Sequence, residues 1–252
     1  MRTGYQFWPA QFSLEAYRYI AREWAQIGNA YGVTVLVTIA GTAASLILVS
    51  MAGYALSQKG VPGMRVAFVL ILITMLFNGG VVSSYIIYTN MFHIKNTIWA
   101  LLVPNLLLNG FNVVLVRNFM QFNIPGELIE AAEMDGAGPF KIYRSIVVPL
   151  SKPIMATVGL LCAVGYWNDW TNGLYFVDDS RLYTVQLLLN QMNNNVQYLA
   201  SHSEITSGVQ QQLPSVSIRM AIAVVGILPI IILYPFFQKY FEKGITIGAV
   251  KG

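Results

Sequence analysis

Apolar residues run along this chain in blocks too long for a water-facing element, and short polar stretches between the blocks hold most of the charge. No Asp, Glu, Lys or Arg lies between Glu23 and Lys59, and 33–56 is the apolar heart of that gap. The same criterion gives 66–88 between Arg65 and Lys95, and 98–116 between Lys95 and Arg117. Two further blocks cover 153–175, with Asp169 its sole charge, and 220–237. A bilayer core of about 30 Å needs about 20 helical residues. The pattern therefore predicts an all-α, polytopic membrane bundle of five visible spans, with 1–252 a single transmembrane domain. Gly41, Gly53, Pro104, Gly110, Gly159 and Pro229 fall inside the spans, where neighbouring helices can satisfy the backbone groups they free.

Composition sharpens this picture. Of 252 residues 56% are hydrophobic and only 10% charged, against about 25% charged in an ordinary soluble domain. So few charges cannot cover a water-soluble body of this size, whereas lipid solvates an apolar exterior directly. The net charge of +4 comes from scattered basic residues with no dense Lys/Arg run, which argues against nucleic acid. The one cysteine, Cys162, lies in an apolar block and reads as a small buried side chain. His93 and His202 have no partners at metal-ligand spacing, so no metal site is expected.

Lys and Arg set the orientation. The connection after the first block holds Lys59 and Arg65, that after the third holds Arg117, Lys141, Arg144 and Lys152, and the C-terminal tail holds Lys239, Lys243 and Lys251. The opposite connections carry Lys95, then Arg181 and Arg219. Positive-inside bias puts 117–152 and the C-terminus on the cytoplasmic side of the membrane. Residues 1–30 then lie outside, although they hold Arg2, Arg18 and Arg22 and show no signal-peptide pattern. A further helix ahead of Met1 is expected on that ground.

The longest cytoplasmic connection, 123–149, is the most informative stretch. Pro125 suits a helix start, Gly136 can take the left-handed conformation that ends a helix, and Pro139 suits the first turn of a second one. A helix, a tight break and another helix are predicted. Ala131 and Ala132 offer little bulk to an approaching partner, and Glu127, Glu130, Glu133 and Asp135 surround them with negative charge. Glu130-Ala131-Ala132, three residues, Gly136, nine residues, Ile146, one residue and Val148-Pro149 resembles the EAA loop of permease subunits of binding-protein-dependent ABC importers, apart from Val148, where Leu is usual. Trp167-Asn168-Asp169-Trp170 and the tail 238–252 are similar to sugar permeases related to the smaller membrane subunit of the maltose importer. Tyr234-Pro235-Phe236-Phe237 resembles a subgroup that handles oligosaccharides of pectin and alginate type.

That resemblance implies a type I importer permease core, with the missing first helix a peripheral one. It implies that Glu130, Ala131, Ala132, Asp135 and Gly136 dock into a cytoplasmic ATPase. The partners implied are a second permease, two copies of the ATPase and an extracytoplasmic solute-binding protein. ATP and Mg would sit on the ATPase, and this chain, which has no phosphate-cradling Gly-x-x-x-x-Gly-Lys-Ser/Thr loop and no catalytic grouping, would bind no cofactor. The long amide-rich outer loop 176–217 would reach the binding protein, with Asn193, Asn194, Asn195 and Gln197 as candidate contacts.

Polar groups in or near the spans are candidates for a translocation pathway: Asn78, Tyr85, Asn109, Trp167, Asn168 and Asp169, with Asn105 and Asn112 close by. Trp167 and Trp170 fit a headgroup-level belt equally well, and any one asparagine fits a hydrogen bond between helices. The alternative of an ion-driven secondary transporter would call for internal repeats and ionisable groups inside the spans. No repeat is visible, and Asp169 sits near a span end.

Overall fold

The structure, a computed structural model, describes residues 24–58, 60–201 and, within 220–232, all but 222 and 225. Among them the regular structure is helical, with no strand. The charge-free stretch around the first predicted span forms α1, Trp24–Ser57, a single helix of 34 residues. At 1.5 Å per residue it is roughly 50 Å long, well beyond a bilayer core. Its first turns are held by the segment that leads into a later helix. Asn29 Nδ2 donates to the Arg181 carbonyl (2.8 Å), and the Val185 N–H donates to Thr34 Oγ1 (2.9 Å).

The other apolar blocks are broken, for local reasons. The 66–88 block becomes α2, Met64–Leu76, and α3, Gly80–Ile86, which runs on through a π-helical turn, Ile87–Met91. The axes turn by 118° at the junction. Phe77 is extended there, Gly80 has φ +81°, and Asn78 Oδ1 accepts the Gly80 N–H at 2.8 Å. The 98–116 block is not one helix either. A short α4, Trp99–Leu102, gives way at Pro104 and at Asn105, whose φ of +61° an asparagine tolerates better than most residues. Asn109 then caps α5, Gly110–Asn123, accepting the N–H groups of Phe111 and Asn112 at 3.0 and 3.3 Å. The connection at 123–149 supplies α6, Gly126–Met134, and α7, Pro139–Ile142, described below. In the 153–175 block α8, Lys152–Asn168, stops where Asp169 caps α9, Thr171–Phe176, through the N–H groups of Thr171 (3.1 Å) and Asn172 (3.2 Å).

Among the described residues one helix, Ala25–Ser57, is by itself long and apolar enough to cross a membrane, or up to three if each bent pair counts as one span. The last block is helical at the described positions within 220–232. The 176–217 segment, read from sequence as a polar loop, contains a 3-10 turn, Ser180–Leu182, and α10, Val185–Ser201. Val185, Leu188, Leu189 and Met192 give α10 an apolar stripe at helical spacing, which packs on Ile27, Ala30 and Tyr31 of α1 and on Ala221. Amides crowd the rest of that helix and mask the stripe.

The core lies where α1 meets α5 and α8. Val49, Val113, Val116, Val147 and Val158 are fully buried there. Small residues let the helices close up: a methyl at Gly41 would run into the Tyr166 ring, and one at Gly53 would sit 2.7 Å from Val116 Cγ1. Cys162 is buried as expected, but it also joins three helices, meeting Ser45 Oγ (3.3 Å) from α1 and Asn112 Nδ2 (3.3 Å) from α5. By contrast α2 and α3 bury no residue, and Val66, Leu70, Leu76 and Val82 stand exposed for lipid or for another subunit to cover.

Broken helices free carbonyls, and two buried side chains take them up. Tyr166 Oη donates to the Leu102 carbonyl at 2.8 Å, and Asn172 Nδ2 to that of Pro104 at 3.0 Å. Tyr166→Phe should lower stability by about 1 kcal/mol, the usual net value of one hydrogen bond. Thermal unfolding of the purified variant in detergent measures it, and an unchanged midpoint would remove this role.

Candidate functional site

The elbow at 123–149 is built from its punctuation. Pro125, extended with ψ 130°, leads into α6, whose last turn closes with Asp135 N–H on the Ala131 carbonyl (3.0 Å). Gly136 then takes φ +76°, and the Ala137 N–H reaches back to the Ala132 carbonyl at 2.9 Å. This left-handed stop is what glycine permits without strain. Pro139 opens α7, which widens into a π-helical turn, Tyr143–Val147, before Val148–Leu150. The widened turn makes room for Pro149, which has no N–H to donate and would crowd a regular helix.

One face of the elbow is fixed to the bundle. Ile129, Ala132, Ala137, Tyr143 and Ile146 pack on the core. Tyr143 Oη and Ser50 Oγ lie 2.6 Å apart, and the Tyr54 and Tyr143 rings are 5.4 Å apart. The other face is exposed. Glu127, Glu130, Glu133 and Asp135 are exposed, and among the described residues none of them forms an ion pair. Met134 is 88% and Phe140 68% exposed, on either side of Gly136. Thus Glu130, Ala131, Asp135 and Gly136 share the outward ridge. Ala132 differs from the sequence reading of two alanines facing a partner: it is half-buried and turns toward the core, where its small size lets α6 lie close. Met134 and Phe140 were missed, although large apolar residues flanking a helix-stopping glycine are a readable sign of a contact surface.

Tyr143→Phe tests how firmly the elbow is anchored. It should cost about 1 kcal/mol, read as a lower thermal midpoint of the purified variant in detergent. An unchanged midpoint would show that packing alone seats the elbow.

The pathway candidates separate into three places. Asn78 lines a cavity with Asn105, Asn172 and Phe176, and Tyr85 stacks on Phe176 from the side (centroids 5.9 Å apart). Trp167, Asn168 and Asp169 stand together at the end of α8 but do separate things. Trp167 is buried and donates through Nε1 to the Gly226 carbonyl (3.2 Å), Asn168 Oδ1 accepts from Gln186 Nε2 (3.2 Å), and Asp169 caps α9. Asn109 lies apart, capping α5 beside a second cavity of about 280 Å3 against Leu161, Cys162 and Gly165.

A polar clamp joins 92–98 to 176–183. Asn96 Oδ1 accepts the N–H groups of Asp178 (2.6 Å) and Asp179 (3.2 Å), and Lys95 Nζ pairs with Asp178 (2.9 Å). The hydrogen bonds to Asp178 and then to Tyr85 hold the Lys95 ammonium above its ordinary range, so it stays charged. The candidate binding-protein contacts lie on α10: Asn194, Asn195 and Gln197 are exposed, Asn193 is half-buried, and Asn194 Nδ2 donates to Asn190 Oδ1 at 3.0 Å. The tail motifs 234–237 and 238–252 lie outside the described residues.

Known proteins resemble the chain over nearly its whole length. It is 38% identical over 247 residues, 97% of this chain and 84% of the other, to the polygalacturonan/rhamnogalacturonan transport system permease protein YtcP of Bacillus subtilis (strain 168). It is 34% identical over 254 residues, 100% of this chain and 83% of the other, to protein LplC of the same organism. A crystal structure of a bacterial ABC transporter involved in the import of the acidic polysaccharide alginate contains a chain that superposes with a TM-score of 0.81 at 29% identity, covering 95% of this chain and 84% of that one. Residues 51–247, which include the whole elbow, match the family described as binding-protein-dependent transport system inner membrane component. A broken-helix bundle with a glycine-stopped elbow is what the family match covers, and the chain belongs to that family of inner membrane components of binding-protein-dependent transport systems.

Proposed function

We propose that this chain is the permease subunit of an ATP-driven importer that moves an oligosaccharide of pectin or alginate type across the cytoplasmic membrane, paired with a second, different permease. The proposal includes two copies of a separate ATPase that bind ATP and Mg, a binding protein outside that delivers the solute, and a cytoplasmic C-terminus. The observation that carries the reading is the elbow: an acidic, partly apolar ridge that forms no ion pair among the described residues, broken at Gly136 and packed on the ends of α1 and α5. Such a ridge suits a groove in a second protein, and rigid packing would carry that protein's closure into the bundle. The likeness to YtcP and to the alginate transporter supports the solute class. In this reading Glu130, Ala131, Asp135 and Gly136 touch the ATPase while Ala132 seats the elbow, and Asn193, Asn194, Asn195 and Gln197 face the binding protein.

Reconstitution in vesicles with both permeases, the ATPase and the binding protein tests this. Trigalacturonate carried by the binding protein should stimulate ATP hydrolysis and enter the vesicle only with ATP. Uptake that follows an ion gradient and ignores ATP would overturn the mechanism. Uptake of neutral oligosaccharides alone would overturn the solute class.

A further inference from the structure

Three breaks in the membrane helices meet at one cavity of about 110 Å3. The turn between α2 and α3 contributes Asn78, the irregular stretch between α4 and α5 contributes Asn105, and α9, just beyond the end of α8, contributes Thr171, Asn172 and Tyr175, with Ser84 of α3 closing one side. Two of these groups hold the walls: Asn78 Oδ1 accepts the Gly80 N–H, and Asn172 Nδ2 binds the Pro104 carbonyl. The Asn105 amide and the Thr171 and Tyr175 hydroxyls are taken up by no other described residue, and all three residues are exposed to the cavity or its mouth. Irregular backbone and free amides at membrane depth are stable only against protein or against a water-filled space. Asn105 itself stands outside the helical conformation, at φ +61°.

The chemistry of the wall selects a ligand class. It offers amide and hydroxyl groups, which both donate and accept, beside the apolar surfaces of Val81 and Phe176. Among the described residues it holds no Lys, Arg, Asp or Glu, and the nearby Lys95 is already paired with Asp178. Such a wall can bind sugar hydroxyls but cannot neutralise a uronate. Its size admits several waters or the edge of one ring, so it would grip a chain ring by ring and release it easily, as conduction through a pore requires.

We propose that this cavity is a saccharide subsite of the translocation pathway, binding the hydroxyls of one sugar ring through Asn105, Thr171 and Tyr175 without reading its carboxylate. The inference rests on the reading of this chain as a carbohydrate importer permease. Asn105→Gly, which suits the positive φ, and Tyr175→Phe, which removes one hydroxyl, should each keep hydrolysis stimulated by the trigalacturonate-loaded binding protein. Trigalacturonate uptake per ATP should fall roughly tenfold, the effect of losing a hydrogen bond to the moving solute. In Asn105→Cys a water-soluble methanethiosulfonate should label the new thiol while buried Cys162 stays silent. Trigalacturonate and galactotriose should slow that labelling alike.

Unchanged uptake per ATP in both variants would overturn the subsite. So would a thiol at 105 that resists the reagent with or without sugar, which would mean that the second permease fills the cavity. Protection by trigalacturonate but not by galactotriose would overturn the hydroxyl-only assignment. A wild-type transporter whose ATPase ignores the loaded binding protein would instead overturn the importer reading, so the two failures separate.

Discussion

Gly136→Pro should abolish the response of ATP hydrolysis to the loaded binding protein, and uptake with it, while the chain still inserts and assembles. Gly136 sits at φ +76°, where proline, fixed near −65°, cannot follow. The substitution also removes the N–H that donates to the Glu133 carbonyl at 2.9 Å. The helix stop would then re-form elsewhere and re-aim the ridge that carries Glu130, Ala131 and Asp135. A loss of at least tenfold is expected, because rigid-body transmission needs the ridge and its anchors in one fixed relation. Gly136→Ala is the graded control. Nothing lies within 4 Å of a Cβ there, so its effect is the left-handed strain alone, about 1–2 kcal/mol. Glu130→Arg should weaken docking in a salt-dependent way, as a reversed charge at a rim does. Coupled hydrolysis and uptake measured side by side decide the matter. Wild-type values in Gly136→Pro and Glu130→Arg would remove the elbow from the mechanism. Elbow variants and cavity variants also differ in kind: the first lose the stimulation of hydrolysis, the second keep it with less solute moved.

Gly41→Val should be the most damaging single change to the fold. A Cβ at 41 would overlap the Tyr166 ring. That ring is 1% exposed, and its hydroxyl is tied to the Leu102 carbonyl, so it has nowhere to swing without giving up a buried hydrogen bond. The helices α1 and α8 would have to separate along the most extensive contact among the described helices. Overpacking costs about 1–3 kcal/mol, and the lost hydrogen bond adds about 1 more. Gly32→Ala in the same helix is the matched comparison. It meets nothing within 4 Å and should be neutral or stabilising by up to about 1 kcal/mol, since alanine is the better helix former. Yield and thermal stability of the two purified variants read this out. Equal stability would mean that α1 and α8 do not pack through Gly41.

Much of this protein was legible from residue order alone, and the reason is solvation. A stretch with no charge between Glu23 and Lys59 has no stable place except lipid or protein interior, so α1 follows from composition. The elbow follows too, because Pro125, Gly136 and Pro139 restrict their own backbones whatever surrounds them. Where the apolar blocks break was not legible. Asn78, Asn105, Asn109 and Asp169 look alike in sequence, as polar residues in apolar company. Only contact shows that the first makes a turn, the second is left free, and the last two cap helices. Nor could order alone reveal that Ala132 turns inward while Ala131 faces out, or that an amide-rich segment hides the stripe of α10. Residue order settles what can live in a membrane and where a backbone must stop, since those are properties of each residue and its near neighbours. Which breaks meet to form a cavity depends on residues as far apart as Asn78 and Tyr175 coming together, and only the packed fold decides that.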